Sequence, residues 1–144
     1  MTFLSHALVT TAGVQLLDLE GTNLILAYSF GTLVDFDHLL KLPLYFKKYK
    51  TRVKKHYNWR TPLQEPVTLL WILPLCVYLK SYVPAIFIIG HIMLDYLVDY
   101  PKHPFFPYNN FETKGFLTKI PQLYKELAVI TLFLWINIAL LSAK

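Results

Sequence analysis

Imidazoles and carboxylates recur at helical spacing in an otherwise apolar chain: His6, then Asp35, Asp37 and His38, then Glu65, then His91 and Asp95. These are donors for a divalent cation, and with no thiolate among them the ion expected is zinc or, second, manganese. His91 and Asp95 stand at i and i+4, about 40° apart on a helix, so both can reach one ion. Asp35 and His38, at i and i+3, share a face in the same way. Asp37 lies about 200° around from Asp35 on a regular helix. One of that pair therefore suits an outer acceptor that orients a ligating imidazole. Plainer roles fit the same residues: ion pairs for His38 with Asp35 and His91 with Asp95, a terminal-turn polar group for His6, a helix-start anion for Glu65.

The elements that must position these groups are helices. Of the 144 residues, 55% are hydrophobic and 16% charged, against roughly 45 to 50% and a quarter in soluble domains. Such a composition excludes intrinsic disorder. Thr2 can cap a first helix over residues 3 to about 17, followed by an Asp-Leu-Glu-Gly turn. A second runs from 24 to about 42, where Pro43 stops it; Pro66 opens a third to 79, with Pro74 inside it. Pro84 opens a fourth to about 99 and Pro121 a fifth to 142. Residues 69–79 and 129–136 have no polar face, which a surface helix of a soluble protein would show. Tyrosines and tryptophans at 45, 49, 57, 59, 78, 82, 100 and 108 mark the ends of the runs, as at a membrane boundary. The fold expected is an all-α polytopic membrane bundle of about five helices, four to five of them spanning, in one integral membrane domain. The runs are short for a hydrocarbon layer of about 30 Å, so a soluble helical metalloprotein is the competing architecture. The single cysteine, Cys76, offers neither a disulfide nor a thiol cluster. The first basic residue is Lys41, so the basic leader of a secretory signal is missing and the first apolar helix is expected to be retained.

Charge orients the chain. Eight of the 14 basic residues lie between Lys41 and Arg60, a stretch with no acid. The loop over residues 41–65 is thus expected on the cytoplasmic side of the cell membrane, against anionic headgroups, and a nucleic-acid partner is not expected. With five spans, the first helix starts inside and the fifth finishes outside. His6, Asp35, Asp37, His38, Glu65, His91 and Asp95 then all fall at the cytoplasmic end, although none of them was used to set the orientation. Ionisable groups in a membrane segment are costly unless they face a partner or water, so a functional reading is the default.

The order His6, Asp35-Phe36-Asp37-His38, Arg60 to Glu65 and Gly90-His91-Ile92-Met93-Leu94-Asp95 resembles, over roughly residues 1 to 105, the YdjM-like family of small integral membrane proteins described as membrane-bound metal-dependent hydrolases. The resemblance implies metal-coordinating roles for His6, Asp35, Asp37, His38, His91 and Asp95. The H-x-x-x-D element is also similar to one in zinc-dependent phospholipases of the C type, which implies phosphoester substrates. The chain departs from the pattern at Gln64, where the family often has a histidine four residues after the arginine. The expected activity is metal-dependent hydrolysis of a phosphoester, with a phospholipid or another anionic molecule as substrate. Glu65, or a carboxylate of the Asp35/Asp37 pair, would be the general base, and Arg60 would hold a phosphate oxygen. A non-enzymatic protein that binds ions or protons at the same cluster is the alternative.

Overall fold

The computed structural model describes residues 1–37, 39, 43, 61–97, 102–105, 108, 109, 111–117 and 119–143. His38, Arg60 and residues 44–59 of the basic stretch lie outside the described residues. Five α-helices are present among the described residues: α1 (Phe3–Leu16), α2 (Gly21–Gly31), α3 (Leu69–Leu79), α4 (Val83–Tyr96) and α5 (Gln122–Ser142). Short 3-10 turns at Leu33–Asp37, Pro62–Gln64 and Pro66–Thr68 complete the regular structure. There is no strand among the described residues, only one isolated bridge between Lys102 and Thr113.

Local chemistry accounts for most of the boundaries. The Thr2 side chain accepts from the Ser5 amide, the N-cap that opens α1. At the other end Leu19 N–H reaches back to the Val14 carbonyl at 3.0 Å, with Asp18 left-handed at φ 49°. This is a Schellman closure, and Val14 and Leu19 pack on the same apolar cluster, as that motif favours. The closure recurs after α3, where Ser81 N–H donates to the Cys76 carbonyl at 3.0 Å and Lys80 takes φ 51°. Pro66 starts the 3-10 turn that leads into α3, and Pro84 sits in the first turn of α4, where a missing N–H costs nothing. The second helix is shorter than its pattern suggests: it ends at Gly31, and a 3-10 turn over Leu33–Asp37 follows.

α4 is the central element, packed by α1, α2 and α3, while α5 lies along α1. Ile88, Ile92, Ala85 and Tyr96 of α4 join Ile72 and Cys76 of α3 in one apolar cluster. Phe87 and Val83 join Ala27 of α2 in a second. A Cβ on Gly31 would collide with Thr10 Oγ1 and one on Gly13 would stand 3.0 Å from the Phe87 ring, so glycine at these positions lets the helices approach. Polar contacts tie them as well. Thr32 donates to Thr10 at 3.0 Å, and Tyr28 lies 2.9 Å from Thr11. Asn137 of α5 donates to the Leu8 carbonyl of α1 at 3.0 Å.

Beside the two apolar clusters the interior holds many polar groups, and much apolar bulk is exposed. Ser5, His6, Thr10, Gln64, His91 and Asp95 are buried, whereas Leu70, Trp71, Val77, Tyr78, Leu127, Trp135 and Leu141 are exposed. α5, at 21 residues, is long and apolar enough to cross a membrane by length and composition. α1, at 14 residues, and the segment Pro66–Leu79 and Val83–Tyr96 are apolar but shorter.

A lysine in the left-handed region costs roughly 1 to 2 kcal/mol that glycine avoids. Lys80→Gly is therefore expected to raise stability by about 1 kcal/mol, read as a higher thermal midpoint in detergent. A lower midpoint would show that the Lys80 side chain holds the turn.

Candidate metal centre

Three elements converge on one point. α1 brings in His6 one turn from its start, α4 brings His91 and, a turn later, Asp95, and the 3-10 turn after α2 brings Asp35. The two imidazoles stack, with ring centroids 3.9 Å apart and planes 17° from parallel. Both are fully shielded from solvent at the side chain, whereas Asp35 keeps 17% of its side chain accessible. Asp35 faces both rings, its Oδ1 3.4 Å from His91 Nε2 and its Oδ2 3.9 Å from His6 Nε2. Asp95 lies alongside, 3.2 Å from His6 Nε2 through Oδ1 and 4.0 Å from His91 Nε2 through Oδ2. Its Oδ1 also accepts from the Met1 amino group at 2.7 Å.

The hydrogen bond on the far side of His91 defines what Nε2 can do. Nδ1 lies 3.0 Å from the Gly31 carbonyl, which can only accept, so Nδ1 carries the proton. In the neutral ring Nε2 is then an acceptor. It is buried, has no hydrogen-bond partner, and faces a carboxylate that is itself acceptor-only. Such a pairing needs positive charge between the two, either a proton or a metal ion. His6, Asp35 and His91 form a group that can hold a metal ion, with one donor atom from each inside 4.8 Å of the others. Donors around one zinc at bonds of about 2.0 to 2.2 Å stand about 3.4 Å apart; Asp35 stands 3.4 Å from the His91 nitrogen and 3.9 Å from that of His6, at that spacing and slightly beyond it. The Gly31 carbonyl acts on the ring as the outer acceptor that metal-ligating histidines use.

Asp37 stands in an outer layer. A 3-10 turn advances about 120° per residue and not 100°, so Asp35 and Asp37 are less opposed than on an α-helix. Gln64 exploits this, its Nε2 donating to Asp35 Oδ1 at 3.2 Å and to Asp37 Oδ1 at 3.0 Å. The Thr61 hydroxyl donates to the other Asp37 oxygen. The backbone carbonyl of Gly31 is the acceptor that orients the His91 ring. Glu65 points elsewhere: its Oε2 accepts from Tyr96 OH at 2.9 Å and its Oε1 from His103 N–H at 3.3 Å. Buried Lys102 sits over the Tyr96 ring at 5.4 Å, so Glu65 anchors the 102–104 segment. The roles expected of His38 and Arg60 concern residues outside those described.

Gly31, Thr61 and Tyr96 belong to this architecture although their chemistry is not that of ligands. Thr61 before Pro62 does carry a local signal, since its side chain also caps the 3-10 turn by accepting from Leu63 N–H at 3.2 Å. Beside the cluster an open cavity of about 460 Å³ is lined by Met1, Phe3, Asp35 and Phe36.

Gly31→Ala drives a methyl into Thr10 and displaces the carbonyl that orients His91. Metal affinity is expected to fall about 10- to 100-fold, as for loss of an outer-layer partner, measured by competition with a chromophoric chelator. Unchanged affinity would remove Gly31 from the site. Comparison with family models, with curated proteins and with solved structures yields no match.

Proposed function

We propose that this chain is a multi-pass membrane protein whose His6, Asp35 and His91 bind a divalent ion, zinc before manganese, and which hydrolyses a phosphoester at the cytoplasmic membrane face. The observation that carries the reading is the buried Nε2 of His91 set against the Asp35 carboxylate with no donor between them. Membrane embedding is supported by the exposed apolar side chains of α3 and α5, by the polar groups buried between the helices and by the length of α5. The resemblance to the YdjM-like family agrees with both parts.

A bound divalent ion would supply Lewis acidity and make water acidic near neutral pH. The chain's own residues do the rest. Asp95, next to both rings and outside the three-residue ligand group, accepts the proton. Asp35 forms the boundary between the buried cluster and the open cavity, so the substrate approaches along Phe3 and Phe36. An anionic phosphoester, with a phospholipid as the favoured class, is drawn by the lysines of 41–55 and held by Arg60. Near-complete burial of both imidazoles favours a second reading, a non-enzymatic ion-binding protein. The two readings agree on the metal and differ on turnover.

Protein purified in detergent is expected to carry stoichiometric divalent metal and to release phosphate or a phosphorylated headgroup from a phospholipid micelle. Chelation abolishes the release, and His91→Ala loses both metal and activity. Stoichiometric metal without turnover on any phosphoester would leave the ion-binding reading; absence of metal from wild type would reject both. A reporter fused after residue 143 is expected outside the cell, and cytoplasmic placement would contradict the five-span arrangement.

A further inference from the structure

We infer that the Gln64 amide stands in place of a second cation and so limits the centre to one metal ion. The inference rests on the metal reading above and adds the nuclearity of the site. Gln64 is fully buried, and its single amide nitrogen donates to Asp35 at 3.2 Å and to Asp37 at 3.0 Å. Two carboxylates this close, one buried and one mostly so, repel each other unless positive charge or polarised N–H groups lie between them. In a two-metal site that position belongs to the second ion, about 3.5 to 4 Å from the first, with a carboxylate shared between them. Asp35 already has the sharing geometry, since the same Oδ1 faces His91 Nε2 at 3.4 Å on one side and the amide nitrogen on the other. Asp37, steadied by the Thr61 hydroxyl, stands where a terminal ligand of that second ion would be. An amide nitrogen donates hydrogen bonds but has no free lone pair for a metal. Gln64 therefore satisfies both acids and closes the second position.

Replacing the amide with a group of similar reach that ligates should open it. Gln64→Glu keeps the shape and exchanges the donor for an oxygen ligand; Gln64→His supplies a neutral donor and adds no third buried acid, so that it folds without metal. The full chain, purified in detergent and saturated with manganese, is expected to bind about one ion in wild type and about two in each variant. The variants should also show the exchange-coupled paramagnetic signal of a manganese pair. Adding Asp37→Asn to Gln64→Glu should return the content to one. Two ions in wild type, or one ion in both single variants, overturns the inference while leaving the metal reading intact. No ion in wild type overturns both.

Discussion

The Asp35 carboxylate is the contact on which the centre depends. It reaches the α1 imidazole, the α4 imidazole and the Gln64 amide at once, so three separate segments of the chain are referred to one anionic group. His91 is held on its far side by the Gly31 carbonyl, while His6 and Gln64 turn the same nitrogen to a second carboxylate, Asp95 and Asp37 respectively. Removing the carboxylate would leave Asp95 as the one acid set against the two stacked rings among the described residues.

That interaction needs an interior that is dry and polar, and the rest of the molecule is arranged to provide it. Threonine, tyrosine and asparagine bonds join α1 to α2 and α5, and glycines at 13 and 31 remove the bulk that would keep the helices apart. The large apolar side chains are turned outward, on α3 and α5 especially. In the membrane setting proposed above such a surface has no cost, and small residues and polar side chains are the adhesive between helices.

Much of this is legible in the residues, and the remainder has identifiable reasons for being hidden. The His91 and Asp95 spacing and the Thr2 cap are local properties, and the structure has them where the pattern puts them. The end of α2 is not local. Nothing between residues 31 and 37 forbids a helix, yet α2 ends at Gly31, where Thr10 and Phe87 leave no room for a Cβ. The 3-10 turn then alters the angle between Asp35 and Asp37, which a straight-helix projection makes too large. The part Gln64 plays is hidden in the sequence, because its amide nitrogen meets Asp35 and Asp37 only once the fold brings residues 29 and 27 positions away beside it. Glu65 follows it by one residue, yet its direction is set by Tyr96 and His103, distant in sequence.

The order of the elements along the chain has a consequence for biogenesis. Every group of the His6, Asp35, His91 and Asp95 cluster precedes residue 97, and α5 adds none; it reaches the bundle through Asn137 and a backbone carbonyl of α1. A chain emerging from the ribosome can thus gather its charged groups before the last helix is made. The longest apolar helix is made last and docks along α1 when every residue of the cluster is already in the chain.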